Sequence, residues 1–316
     1  MIKIKDFETG ANIQTPLLNG GVQVRIAKND KEFLQITGKD KTGQITIMVW
    51  DPDLSIVEDL KSAKVLVIDG QVDEFNGTQQ IKARGVRPAD ESEYELNELL
   101  FVEKNYNEDL IVDLENAIEE IQDQDLYMVT EKLFTEHRDN YLIEPAAMRH
   151  HHAALGGMLV HVNQVLKGAL AYFEVYKELI AEEEQKLTRD FIISGAILHD
   201  IGKFYEYTKD EFGYCNGISR QGALEGHFVI GQNLIKESGR ILGLDDDTIM
   251  QLGHVCLAHH EKTEWGASVT PATRATVFIA KADQASAHLQ VFLTALDEQE
   301  ENTSEERNLF GNRSVK

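Results

Sequence analysis

Apolar and polar residues alternate along the first third of the chain. Val22, Val24 and Ile26 form one series, Leu34 and Ile36 a second, and Ile45, Ile47 and Val49 a third. A two-residue period is that of strands with one buried face. Asp40-Lys41-Thr42-Gly43 supplies a turn between the second and third series, since glycine tolerates a positive φ. Val65-Leu66-Val67-Ile68 runs through Gly70 to Asn76-Gly77, a strong hairpin signal. Short strands joined by such turns predict a small β-barrel over residues 1–90.

The period changes after Ala89. Leu110, Leu114, Ile118 and Ile121 recur at helical spacing inside residues 91–136, which carry 15 acidic and two basic side chains. Residues 91–145 therefore read as an acidic helical connector with one packed face. The pattern stays helical from Pro145 to about Gln290, so an all-α domain is expected over residues 146–296. Thr270-Pro271 reads as a helix start, with Thr capping free N–H groups and Pro at the first helical position. Residues 297–316 are charged and read as a partly disordered tail. The fold class expected is thus multidomain α and β: a barrel followed by an all-α domain.

Composition adds a constraint. The 316 residues, 42% hydrophobic and 27% charged, suit two globular domains of a soluble protein. No secretory signal or membrane-length apolar run is visible, and Cys215 and Cys256 form no CxxC pair, so a cytoplasmic location without membrane attachment is expected. The net charge is −23. Residues 1–90 hold 12 basic and 13 acidic groups, which leaves 19 basic and 41 acidic groups to the rest. A polyanion approaching the second part meets repulsion unless metal ions or a local basic groove offset it.

The histidines change the picture further. All 11 fall between His137 and His288, several in apolar surroundings. His199-Asp200 ends the apolar run Phe191 to Leu198, and Lys203 follows four residues after His199, where one helical turn would bring an ammonium towards a phosphate oxygen. His161 sits in Gly156-Gly157-Met158-Leu159-Val160-His161, His259-His260 ends Val255-Cys256-Leu257-Ala258, and Asp283 interrupts the apolar series from Ala275. A single buried histidine is most often a hydrogen-bonded core group. Four such intrusions in the order H…HD…HH…D are explained together by a divalent cation, because imidazole with carboxylate suits Zn, Mn, Fe and related ions.

That order resembles the HD superfamily of metal-dependent phosphohydrolases. More closely, the chain resembles the YhaM family of 3′–5′ exoribonucleases, which joins an N-terminal OB-fold to an HD domain. The likeness rests on Phe33 to Trp50, His151-His152, Gly157 to His161, Ile197 to Lys203, Leu224-Glu225-Gly226-His227, His259-His260 with Glu264-Trp265-Gly266, Asp283, and Asn312-Arg313-Ser314. It departs locally: Gln284 and Ser286 stand where the family usually has Asn and a second Asp. The resemblance implies two divalent ions (Mn, or Fe, Co, Mg or Zn) bridged by Asp200. His161, His199 and Asp283 would hold one, and His227, His259 and His260 the other. Asp200 and Lys203 would carry the chemistry. Phe33, Trp50 and Phe75 are candidates to stack on bases, and Lys39, Lys41, Lys82 and Arg84 to line a phosphate track, although an aromatic on a strand is more often core. His151 and His152 are candidates for substrate contact, with a structural role equally open.

The expected function is hydrolysis of single-stranded RNA, with DNA as a second polymer, to nucleoside 5′-monophosphates, and the sequence is compatible with a homo-oligomer. The rivals are an HD phosphohydrolase acting on nucleotides or cyclic dinucleotides, with the barrel as an interaction module, and a binding protein whose HD site is structural.

Overall fold

The computed structural model describes residues 2–27, 31–75, 77–103, 105–148, 152–210 and 212–301, and the chain divides into two units, Met1–Val102 and Glu103–Lys316. In the first unit the alternating segments form strands β1 (Asn12–Ile26), β2 (Glu32–Asp40) and β3 (Gly43–Trp50), then helix α1 (Val57–Ser62), strands β4 (Val65–Phe75) and β5 (Thr78–Pro88), and the short helix α2 (Leu96–Leu99). The strands close into a barrel in the order β1-β2-β3-β5-β4, with β3 and β5 parallel and every other pair antiparallel. A five-stranded closed barrel with a helix between its third and fourth strands is the OB topology. Leu17, Leu34, Ile36, Ile47, Ile68 and Ile81 fill its interior.

Two local expectations are corrected. Gly43 takes no positive φ; the β2–β3 turn is held by the Asp40 carboxylate, which accepts from the Thr42 backbone N–H at 2.7 Å and hydroxyl at 2.6 Å. Strand β1 begins ten residues before Val22, and its buried apolar positions, Ile13, Leu17 and Leu18, precede an irregularity between Asn19 and Val22. Val24 and Ile26 end exposed. The β4–β5 turn falls where it was expected, with Gly77 at φ +77°; Asn76 lies outside the described residues.

The second unit is built on helices α3 (Leu110–Glu119), α4 (Gln124–Glu136), α5 (Arg138–Ile143), α6 (Gly157–Tyr176), α7 (Glu182–Leu198) and α8 (Lys203–Glu206). A two-stranded hairpin, β6 (Tyr207–Lys209) with β7 (Cys215–Ile218), precedes α9 (Arg220–Leu242), α10 (Asp246–Ala258) and α11 (Arg274–Glu301). In the acid-rich stretch, Ile111, Leu114, Leu126, Leu133 and Phe134 lie in the same apolar cluster as Leu159 and Ile193, while Asp113, Glu119 and Glu120 face outward. Helix α11 starts at Arg274, three residues beyond Pro271, because the Thr273 hydroxyl accepts from the Thr276 N–H at 3.3 Å. The expected tail beyond Glu301, with Asn312-Arg313-Ser314, lies outside the described residues. No helix among the described residues is long and apolar enough to cross a membrane.

Candidate metal centre

Two helices end in the same way. The last turns of α7 and α10 are buried, and a histidine stands at the C-cap of each. Helix C-termini leave carbonyls without partners, and the ring nitrogens take them: His199 Nδ1 lies 2.8 Å from the Ala196 carbonyl and His259 Nδ1 2.9 Å from the Cys256 carbonyl. A carbonyl only accepts, so each Nδ1 carries the proton and each Nε2 presents a lone pair away from its helix. His260 repeats the device through the Trp265 carbonyl at 2.8 Å. His161, buried in the first turns of α6, has Nδ1 3.0 Å from Ser286 Oγ, and His227 Nδ1 donates to Glu206 Oε2 at 3.0 Å.

Five Nε2 atoms are thus left for one centre, and carboxylates meet them there. Asp200 divides its oxygens: Oδ2 is 3.3 Å from both His161 Nε2 and His199 Nε2, whereas Oδ1 is 3.5 Å from His259 Nε2 and 3.8 Å from His227 Nε2. Asp283 Oδ1 lies 3.2 Å from His161 Nε2 and 3.9 Å from His199 Nε2. Two groups with metal-ligand spacing result, His161 with His199 and Asp200, and His227 with His259 and His260.

The chemistry of these atoms fits divalent cations. His161 and His199 bring their Nε2 atoms within 3.2 Å, an approach that two lone pairs resist unless a proton or a cation lies between them. Asp200 Oδ1, His227 Nε2 and His259 Nε2 are buried without a hydrogen-bond partner among the described residues, a costly state for three polar atoms facing one another. Burial pushes the His259 imidazole down to about 3, so it stays neutral, as a ligand must. Burial opposes ionisation of Asp200, yet Lys203, His199 and His161 around it hold its carboxyl well below the usual range. Burial raises Asp283 too, and the imidazoles beside it outweigh that and bring it below its ordinary value.

Lys203 departs from its expected placement. Residues 199–202 form turns between α7 and α8, so no continuous helix joins it to His199. Its ammonium instead bonds Asp200 Oδ2 at 2.7 Å, and the side chain is buried. Burial lowers its pKa, but Asp200 and Asp283 raise it further, and the group stays charged.

For His152 the surroundings favour the structural role of the two left open. Its ring is fully enclosed, with Nε2 3.3 Å from Ser286 Oγ and Nδ1 3.6 Å from Glu103 Oε2, so it braces the interior behind His161. His151 lies outside the described residues. Glu206, Ser286 and the Trp265 carbonyl belong to the centre but carry no sequence signal, since the acceptors behind metal-site histidines follow no residue spacing. The sequence marked Trp265 only as part of a matching segment and Ser286 only as a departure from the resembled family, neither as a partner of a histidine.

On the barrel, the register pairs Phe33 with Trp50 and Met48 with Lys82, which sets Phe33, Trp50, Lys82 and Arg84 on outward positions of adjacent strands. The Phe33 and Trp50 rings lie 4.8 Å apart, Trp50 is 50% exposed, and Phe75 is 64% exposed. The cations are engaged: Lys41 with Glu98 and Lys82 with Asp73 at 2.8 Å, Arg84 with Asp69 at 2.7 Å. Lys39 is half-buried on β2.

The family model for the HD domain matches residues 158–288. The 3′–5′ exoribonuclease YhaM of Listeria welshimeri is 28% identical over 290 residues, covering 92% of this chain and 89% of that protein. A 3′–5′ exoribonuclease YhaM of Listeria monocytogenes is 27% identical over the same shares. Among solved structures, asparaginyl-tRNA synthetase from Pyrococcus horikoshii is 14% identical with a TM-score of 0.23, covering 43% of this chain and 36% of that one.

Proposed function

We propose, from its likeness to the 3′–5′ exoribonucleases YhaM and its match to the HD-domain family model, that this chain is a metal-dependent 3′–5′ exoribonuclease that shortens single-stranded RNA, and single-stranded DNA as a second polymer, to nucleoside 5′-monophosphates. One observation carries the reading: five histidine Nε2 atoms and two carboxylates converge, with the two oxygens of Asp200 turned towards different histidine groups. We take the centre to hold two divalent ions, Mn first among Mn, Fe, Co, Mg and Zn, and the enzyme to work in the cytoplasm, with a homo-oligomer compatible with this reading.

His161, His199, Asp283 and Asp200 Oδ2 would hold one ion, and His227, His259, His260 and Asp200 Oδ1 the other. Such ions, when bound, supply an activated water and charge neutralisation at the leaving oxygen of a phosphodiester. The residues do the rest. Ring N–H bonds to fixed acceptors lock the histidine tautomers, so no ligand reorganises as the substrate arrives. Lys203, charged and at the Asp200 edge of the centre, neutralises phosphoryl oxygens as charge develops. Phe33, Trp50 and Phe75 would stack on bases, which needs no sequence reading and suits a nuclease that acts on many RNAs. The test is incubation of the full chain with 5′-labelled single-stranded RNA and Mn²⁺. A ladder descending from the 3′ end is expected; intact RNA with turnover of nucleotides or cyclic dinucleotides would transfer the activity to that rival class.

A further inference from the structure

His227 is held differently from the other histidines of the centre. Both its backbone N–H and its ring N–H go to one carboxylate: Glu206 Oε1 accepts from the backbone nitrogen at 3.0 Å and Oε2 from Nδ1 at 3.0 Å. The backbone donor is free for this because α9 breaks at the preceding residue, Gly226, with φ +66° and ψ 159°. A residue with those angles lies outside the helix, so the N–H that follows it turns away from the helical ladder. The segments are also locked together. A Cβ on Gly202 would lie 2.1 Å from the His227 carbonyl oxygen, and the Glu206 carbonyl accepts from the Ser219 N–H at 2.8 Å.

We propose that Glu206 is the positioning residue that decides whether the His227, His259 and His260 half of the centre holds an ion. By taking both donors it fixes the ring as the Nδ1–H tautomer, which leaves Nε2 open towards the centre. Its charge matters as well. The His161 half has Asp283 beside Asp200 Oδ2 and a neutral hydroxyl, Ser286, behind its histidine. Among the described residues the His227 half has three histidines and Asp200 Oδ1 as its one carboxylate oxygen, so the carboxylate behind His227 is the additional negative charge that raises the basicity of its ligand set. The inference rests on the two-ion reading of the proposed function.

An isosteric substitution separates this role from packing. Glutamine at 206 keeps the volume but offers one acceptor and one donor group where two donors must be received. Either the His227 backbone N–H is stranded, or the ring turns to the Nε2–H tautomer and closes the lone pair the ion needs. The experiment uses the full chain, stripped by chelation and titrated with Mn²⁺ by calorimetry and by electron paramagnetic resonance of free Mn²⁺. The unsubstituted chain is expected to bind two ions. Glu206→Gln is expected to weaken one of them by roughly 10–100-fold, the scale set by loss of an outer partner, and to leave the other unchanged. In a His227→Ala background the same substitution should add no further loss, since it acts through that ring. Two ions bound with unaltered affinity by Glu206→Gln, equal weakening of both, or a loss that adds to that of His227→Ala each overturn the proposal. A single ion in the unsubstituted chain would overturn the two-ion reading itself, before any substitution is made.

Discussion

At the scale of the residue, the centre is organised by where protons can sit. Carbonyl groups behind His199, His259 and His260 force a proton onto Nδ1, and the remaining Nε2 atoms point inward. The inward half of this arrangement was legible in the sequence, because a histidine or aspartate inside an apolar run must find a partner. The outward half was not, since Ala196, Cys256 and Trp265 contribute backbone oxygens and any residue there would do the same. The Asp200–Lys203 pair was half legible: the two were expected near one phosphate, and the structure joins them to each other. A buried pair of this kind makes a prediction. Asp200→Asn should bring hydrolysis to background and, without metal, strand a buried ammonium at a cost of about 3–5 kcal/mol. For a unit of this size that is a fall in Tm of roughly 6–20 °C. Asp200→Asn with Lys203→Met should recover most of the Tm and none of the activity, as scanning calorimetry and an RNA assay would register. Lys203→Met alone should lower kcat on RNA by roughly 10²–10³-fold with metal content unchanged, because an ammonium cannot ligate a cation. A normal kcat in that variant would confine Lys203 to pairing with Asp200.

At the scale of the element, apolar periodicity placed β2 and β3 and the helices that carry His161, His199, His259 and Asp283, since each has a buried face, but of β1 it marked only the exposed end. It failed where the backbone is set by a single contact. The start of α11 follows the Thr273 hydroxyl although Thr270-Pro271 has the better local signature, and the β6–β7 hairpin is too short to print a period. The break in α9 is the functionally important case. Nothing in Leu224-Glu225-Gly226-His227 distinguishes a helical glycine from one at φ +66°, yet that angle hands the His227 N–H to Glu206. The nearest atom to a Cβ at Gly226 is Glu206 Oε1 at 3.8 Å, so there is room for a methyl group and the cost of Gly226→Ala is conformational. It should be about 1–3 kcal/mol, measured by denaturant unfolding, and should come with weaker binding at the His227 half alone. A variant that loses stability but keeps both ions would mean that the break serves folding and not the centre.

At the scale of the whole molecule, the two units differ in charge and in what they offer a polymer. The near-neutral first 90 residues form the barrel, and the remainder holds an excess of 22 negative charges. The OB-like hairpin was legible because Phe33 to Trp50 alternates cleanly, but the state of its cations was not, since ion pairs such as Arg84–Asp69 and Lys82–Asp73 join residues of different strands. Those pairs decide how the barrel would meet RNA. A cation already neutralised by a neighbouring carboxylate releases few counterions when a phosphate arrives, so stacking on exposed rings should carry most of the affinity. Replacing Trp50 and Phe75 by Ala in the full chain should remove about 1–3 kcal/mol per ring, raising KM on long RNA by at least roughly fivefold. Turnover of bis-p-nitrophenyl phosphate, too small to reach a stacking track, should be unchanged. The salt dependence supplies the sharper readout. A protein held by 6–10 phosphate contacts loses roughly 10³–10⁵ in affinity between 50 and 200 mM salt, and this chain should lose much less over the same range. A steep salt slope combined with indifference to Trp50→Ala and Phe75→Ala would mean that the ion pairs open to receive phosphates, and that the cations, rather than the rings, hold the RNA.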